Sequence, residues 1–426
     1  MPSQGPRQSK QITRSRKRYI SVYLGVTIRK KFLTTALASL VLLGTANAQN
    51  DTYPLNNDPT VREGFQRFYI LDYDGAMQRF EAVQREHPQD PMAAGYILMD
   101  TIFRELYRQD LLDTTYYAHE HFLSSGHKSD IPDSVRKHID DLTDRAISLA
   151  DARIKANPND KDAYFARGYA KGMHAAWMTL ADHSFTGAAR QGLSSRNDSE
   201  QVLKLDPNYT DAKMAIGIQK FAVASLPRFV RILVGIAGIG GNKEDGLNLL
   251  RESAAHGTVT SVESQTALSL FLRHDQRYNE AYAVSQKLAQ KYPHDFLFRL
   301  EESNLMKDAG HGPQAIAIYK AVLADSEKPG YFIEPRLQLA WFGLAETQRG
   351  QGMVQDAATS YLNAANQPNC SDWMRKRANL NAGMMLDKLG RRNEAVAQYQ
   401  KAAAPGGDQT QADAARKYMK SPYSGN

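Results

Sequence analysis

The densest group of potential metal ligands is His119, His121 and His127, in the run AHEHFLSSGH, with Asp130 close behind. Neutral imidazoles and a carboxylate are competent zinc ligands. His119 and His121, two apart, leave a helix in different directions and chelate together only from an extended chain. No HExxH pair accompanies them. The expectation is a polar loop rather than a metal site. Gly235, Gly238, Gly240 and Gly241 form a glycine-rich turn, but a phosphate cradle needs a preceding strand and, in its commonest form, a Gly-Lys-Ser/Thr ending. Here Asn242-Lys243-Glu244 follows, and a helix-to-helix turn is expected. Ser194, Ser195, Ser261 and Ser264 lack the spacing of a nucleophile elbow, and Asp140-Asp141 suits a solvated helix face. Cys370 is the sole cysteine. It excludes an intramolecular disulfide or a multi-cysteine metal site, and a buried, inert thiol is expected. No set of acid, base and nucleophile can be assembled. The chain is expected to be no enzyme, with no cofactor and no metal.

The charge belongs to one end. The 426 residues carry 53 Lys and Arg against 46 Asp and Glu, a net of +7. Nine of the basic residues and no acidic ones lie in residues 1–48, which leaves 44 against 46, a net of −2, for the rest. A nucleic-acid partner loses its electrostatic support. Within the leader, Arg29-Lys30-Lys31 precedes an apolar stretch from Phe32 to Leu43, and Ala46-Asn47-Ala48 offers a small-residue cleavage site. This is the layout of a secretory signal. The apolar stretch is too short to span a bilayer comfortably, so export to a periplasm or beyond, in a bacterium, is expected, with no membrane span in the mature chain. The apolar segment from Ala222 to Gly241 is interrupted by Pro227, Arg228 and Arg231, and reads as a buried helix with a glycine turn.

What positions these residues is helical throughout. Strand signals are nearly absent, while amphipathic helices recur in pairs. In Ala378 to Ala402, Gly383 and Ala395 lie twelve apart and Tyr399 and Ala402 follow. Leu389-Gly390 breaks the two helices apart. Gly64, Ala76 and Phe80 repeat the small, small, aromatic order, with Pro88 stopping the second helix, and Trp341, Leu344, Ala345, Gly352, Ala357, Tyr361 and Ala364 keep the same spacing. About seven such units fall between Val61 and Ala402. The spacing resembles the tetratricopeptide repeat, a helix-turn-helix unit of roughly 34 residues. One hairpin cannot bury its own apolar face, so such units stack.

The resemblance implies an all-α solenoid of antiparallel helix-turn-helix units, irregular in its N-terminal half. The expected divisions are a signal and basic leader (1–48), a polar, unstructured lead-in (49–60), irregular repeats with insertions (61–257), regular repeats (258–404) and a C-terminal tail (405–426). Asp113 to Asp130 and Gly172 to Ser199 are the insertions, the second expected as a widened connection. Members of the family usually receive an extended peptide or a partner helix in a concave groove. Mapped onto this sequence, groove positions are Phe165, Tyr169, Met214, Ile218, Phe342, Glu346, Arg349, Leu380 and Met384. The Lys and Asn set with which some relatives clamp a C-terminal carboxylate is absent at these positions. The functional expectation is an exported scaffold binding a protein or peptide partner. The alternative is a small-ligand or metal binder using the irregular 113–199 region.

Overall fold

The computed structural model describes residues 52–116, 131–226, 240–406 and 409–425, all within one unit, Asn50–Asn426. The secretory-signal expectation, the histidines 119, 121 and 127, and Gly235 and Gly238 lie outside the described residues. Among those described, regular structure is helical, with seventeen α-helices and no strand.

Sixteen helices make eight antiparallel pairs, one more than the spacing alone separates. They are α1 (Pro59–Phe68) with α2 (Tyr73–Glu86), α3 (Pro91–Arg108) with α4 (Asp133–Ala156), and α5 (Lys161–Leu180) with α6 (Phe185–Leu205). Next come α7 (Lys213–Ser225) with α8 (Lys243–His256), α9 (Ser261–His274) with α10 (Tyr278–Lys291), and α11 (Phe296–Asp308) with α12 (Gly312–Ser326). The last are α13 (Leu337–Gly350) with α14 (Val354–Ala365) and α15 (Asp372–Lys388) with α16 (Arg392–Ala402); α17 (Gln409–Lys420) closes the array.

Each helix packs mainly on its neighbours in sequence, which is serial stacking. The odd-numbered helices also touch one another, α3 on α5, α7 on α9, α11 on α13, while no comparable packing joins the even-numbered ones. The layer with the closer spacing has the shorter arc, so the odd-numbered helices line the inner, concave side. The chain is an all-α solenoid of tetratricopeptide-like pairs.

Local chemistry explains the pairs. Asp58, Asp90, Asp160 and Asp295 cap α1, α3, α5 and α11, each carboxylate accepting from a first-turn backbone N–H. The turn inside a pair needs one residue in the left-handed region, and Gly310, Gly352 and Gly390 supply it at no steric cost. Between the helices, a methyl added at Gly383 would come within 2.5 Å of the Tyr399 ring, and one added at Gly64 equally close to Phe80. Those glycines let an aromatic ring lie flat on the facing helix.

Two expectations are corrected. The lead-in is not unstructured where it is described: Pro54–Asn57 is a 3₁₀ turn, and Tyr53 is only 1% exposed. Tyr53 donates from its hydroxyl to Asp90 at 2.8 Å and accepts from Arg153 at 2.7 Å, and Thr52 donates to Asp211 at 2.6 Å. Nor is Gly172 to Ser199 a widened connection. Its residues lengthen both arms of one hairpin, α5 and α6, and the turn itself is only 181–184.

Candidate functional site

The nine residues mapped to the groove do not form one surface. Phe165 and Tyr169 on α5 are buried. The Phe165 ring lies 5.0 Å from that of Tyr209, and the Tyr169 hydroxyl donates to Met99 Sδ at 2.8 Å. Met214 on α7 is buried in a small core with Phe221, Leu250 and Leu268, and Ile218 packs against it half-buried. These side chains are engaged in holding repeats together.

The positions on α13 and α15 do come together. Phe342 is buried edge-on against Tyr361, 5.3 Å between ring centroids, and the Arg377 guanidinium lies 4.8 Å above its centroid. A cation over an aromatic face gains electrostatic energy when partly desolvated. Glu346 accepts from the Tyr361 hydroxyl and pairs with Arg349 at 2.8 Å. Arg349 in turn reaches the Asn381 side-chain oxygen at 3.3 Å. Leu380 is buried beside this group and Met384 is half-buried. Arg349 keeps 38% of its side chain exposed. No ion pair joins Arg377 to a carboxylate among the described residues. A half-buried cation, a half-exposed one and an aromatic face thus share one stretch of the inner wall. Arg377 and Asn381 are absent from the sequence-derived set; being one helical turn from Leu380 and Met384, they sit where the period would have put them.

Further along the inner wall, repeats five to eight hold a segment of the chain itself. Asp110 is completely buried. One carboxylate oxygen accepts from Arg336 Nε at 2.7 Å and Gln338 Nε2 at 2.6 Å, the other from the Ser371 backbone N–H at 3.0 Å and hydroxyl at 2.6 Å. Trp373 Nε1 donates to the Gln109 carbonyl at 2.8 Å, and Tyr107 to the Glu334 carbonyl at 3.1 Å. Asn304 donates to Asp113 at 3.0 Å. Arg273, fully buried on α9, donates to the Thr114 and Thr115 hydroxyls at 2.7 and 3.0 Å, and pairs with Glu301 and Asp308 on α11. The nearby carboxyl groups pull its guanidinium well above the usual range against the opposing effect of burial.

Burial, which opposes the charged form of Arg273, raises three carboxyl groups of the inner wall. Asp100 is pushed up to about 8 and Asp295 to about 7, and Glu263, which accepts from the Tyr69 hydroxyl at 2.8 Å, also to about 7. Among the described residues, neither Asp100 oxygen has a hydrogen-bond donor. Desolvation raises a carboxyl pKa because it disfavours the charged form. Cys370 is buried, and burial pushes its thiol up to about 12, so it is a poor nucleophile.

For a small ligand the described residues offer a cleft of about 290 Å³ between α3 and the start of α4, lined by Thr101, Arg104, Glu105, Arg108, Ser134 and His138, among others. That is at the small end of known ligand sites. No group of three or more potential metal ligands converges among the described residues.

No family model matches the sequence, and no curated protein matches it. Solved structures do share its helical-repeat character. A tetratricopeptide repeat protein from Parabacteroides merdae is 11% identical, over 76% of this chain and 98% of its own, with a TM-score of 0.35. Yeast Tom70 is 11% identical over 92% of each chain, with a TM-score of 0.41. Human IFIT1, as a dimer with PPP-AAAA, is 16% identical over 78% of this chain and 67% of its own, with a TM-score of 0.41. At such scores the likeness says nothing about the site.

Proposed function

We propose that this protein is an exported scaffold of a bacterial envelope that binds a protein or peptide partner on the inner face of its solenoid and catalyses no reaction. The observation that carries the reading is the group on α13 and α15: Phe342, with Arg377 over its ring and Arg349 half in solvent, next to Asn381. Phe342 is buried in the fold and holds Arg377 in place, while Arg349, partly in solvent, offers a partner the kind of charged rim that sets orientation at protein interfaces. Export is supported by the Arg29-Lys30-Lys31, Phe32 to Leu43 and Ala46-Asn47-Ala48 layout. Among the described residues no helix is long and apolar enough to cross a membrane. The near-neutral balance after residue 48 takes away the overall positive charge that a nucleic-acid partner would be drawn to.

The test is in-cell cross-linking followed by mass spectrometry, comparing the native protein with the double variant Arg349→Glu/Arg377→Glu, alongside fractionation of the tagged full chain. At least one partner recovered by the native protein should be lost from the variant, and the chain should fractionate with the envelope. An unchanged partner profile from a folded variant sinks the reading.

A further inference from the structure

Residues 107–115 form hydrogen bonds to four successive inner helices or their first residues, and most of the bonds run one way, the exceptions being the Tyr107 and Thr114 hydroxyls, which donate to the Glu334 carbonyl and to Glu301. The wall supplies donors: Arg273 on α9, Asn304 on α11, Arg336 and Gln338 at the start of α13, and Ser371 and Trp373 at the start of α15. The segment supplies acceptors, among them the carboxylates of Asp110 and Asp113, the Gln109 carbonyl and two threonine hydroxyls. Partners are 158 to 264 residues apart in sequence, so the contacts are not a by-product of local helix packing.

The segment also grows from an ordinary place. Asp110, at φ 61°, occupies the left-handed position of the turn after α3, with the Leu111 N–H closing onto the Leu106 carbonyl. Gly352 and Gly390 hold that position after α13 and α15, closed by the same backbone bond. A non-glycine residue there costs strain. In this repeat the side chain is the functional part, and the next helix is delayed to Asp133.

Taking the binding role above as its premise, we propose that the inner face of α9, α11, α13 and α15 is a peptide site held in cis by Gln109–Thr115, and that its partner is an acidic, hydroxyl-bearing segment that sets carboxylates where Asp110 and Asp113 stand. The charge is complementary: Arg336 has its carboxylate from the inserted segment, and with that segment released a buried cation and the N-terminus of α15 await an anion. The partner therefore competes with the chain for one set of donors, and affinity measured on the intact protein is reduced by the fraction of time the segment is seated.

Two measurements decide it. Native-state hydrogen exchange on the full chain should show the amides of 109–115 exchanging through an opening that leaves α11, α13 and α15 protected. Protection equal to that of those helices makes the segment a fixed staple and overturns the proposal. Separately, a full-length variant with 109–115 replaced by Gly and Ser of equal length is titrated with a synthetic peptide of residues 107–116. The variant should bind it saturably and at least tenfold tighter than the native chain does, and adding Arg336→Ala should abolish binding. A cooperatively folding variant that ignores the peptide also overturns it; if the variant does not fold, the exchange result decides. Peptide binding that survives Arg349→Glu/Arg377→Glu, with no partner recovered in cells, would sink the functional reading alone.

Discussion

The two halves of the solenoid solve the same packing problem with different turns. From α9 to α16, each pair is joined by three residues and the left-handed position is Gln276, Gly310, Gly352 or Gly390. From α1 to α8, the second pair is opened by 24 residues between α3 and α4, the third has lengthened arms, and the fourth has 17 residues between α7 and α8. Regular repeats talk only to their neighbours, so their stability is close to a sum over units. The irregular half breaks that locality: Tyr69 reaches Glu263, Thr52 reaches Asp211 and Asp110 reaches Arg336. Insertions in a repeat protein can therefore couple distant units instead of merely decorating them.

The strongest way to break the contrast is Asp110→Ala. It leaves Arg336 buried without its anion, a change that costs about 3–5 kcal/mol. If the coupling is real, urea unfolding followed by circular dichroism should lose stability and split into two transitions. A single transition with an unchanged midpoint would refute it. Next in size is Gly383→Leu, compared with Gly64→Leu. Both side chains would collide with a ring that lies on the glycine, so each should cost about 1–3 kcal/mol, by the same denaturation assay. Equal losses would show that pair packing is common to both halves and only the turns differ.

A smaller effect separates the halves by pH. Asp100, Asp295 and Glu263 have folded pKa values above their unfolded ones. The folded state therefore binds more protons between roughly pH 4 and 8, and stability falls as pH rises through that window. Asp100→Asn should flatten the upper part of the slope in melting curves taken from pH 5 to 9, and Glu263→Gln the part near pH 7. A slope that rises with pH would contradict the burial of these groups. The smallest expected change is Glu244→Ala. Glu244 is 57% exposed and bridges Arg251 and Arg277 between neighbouring units; removing such a surface pair costs under about 1 kcal/mol and should move the thermal midpoint little.

The fold was largely legible because its determinants are local. Gly383, Ala395 and Tyr399 announce a pair at close quarters, and Gly352 and Gly390 mark turns that a period search finds. The buried Cys370 followed from the absence of a second cysteine. What stayed hidden depends on partners far away in sequence. Nothing near Asp110 hints at Arg336 or Ser371, and Thr52 gives no sign of Asp211. The local clue was weak: Asp110 stands at the left-handed turn position that glycine holds in three other pairs, but Leu71 and Gln276 hold it too. The α5–α6 hairpin misled because polar, small residues such as Ser195 and Ser199 resemble a loop, while tertiary packing of Ser195 against Gly168 and Gly172, and of Ser199 against Gly168, keeps them helical. On the candidate site, periodicity placed Phe342, Glu346 and Arg349 on one wall but could not tell Phe165, whose ring packs against Tyr209, from a residue facing the groove.

The docked start of the folded unit bears on what can be joined to it. If the leader is removed after Ala48, the new end, Gln49, lies three positions before Thr52, whose hydroxyl is tied to Asp211, and four before the sealed ring of Tyr53. A tag fused directly at that end would stand beside the first turn, Pro54–Asn57, and compete with it for its place.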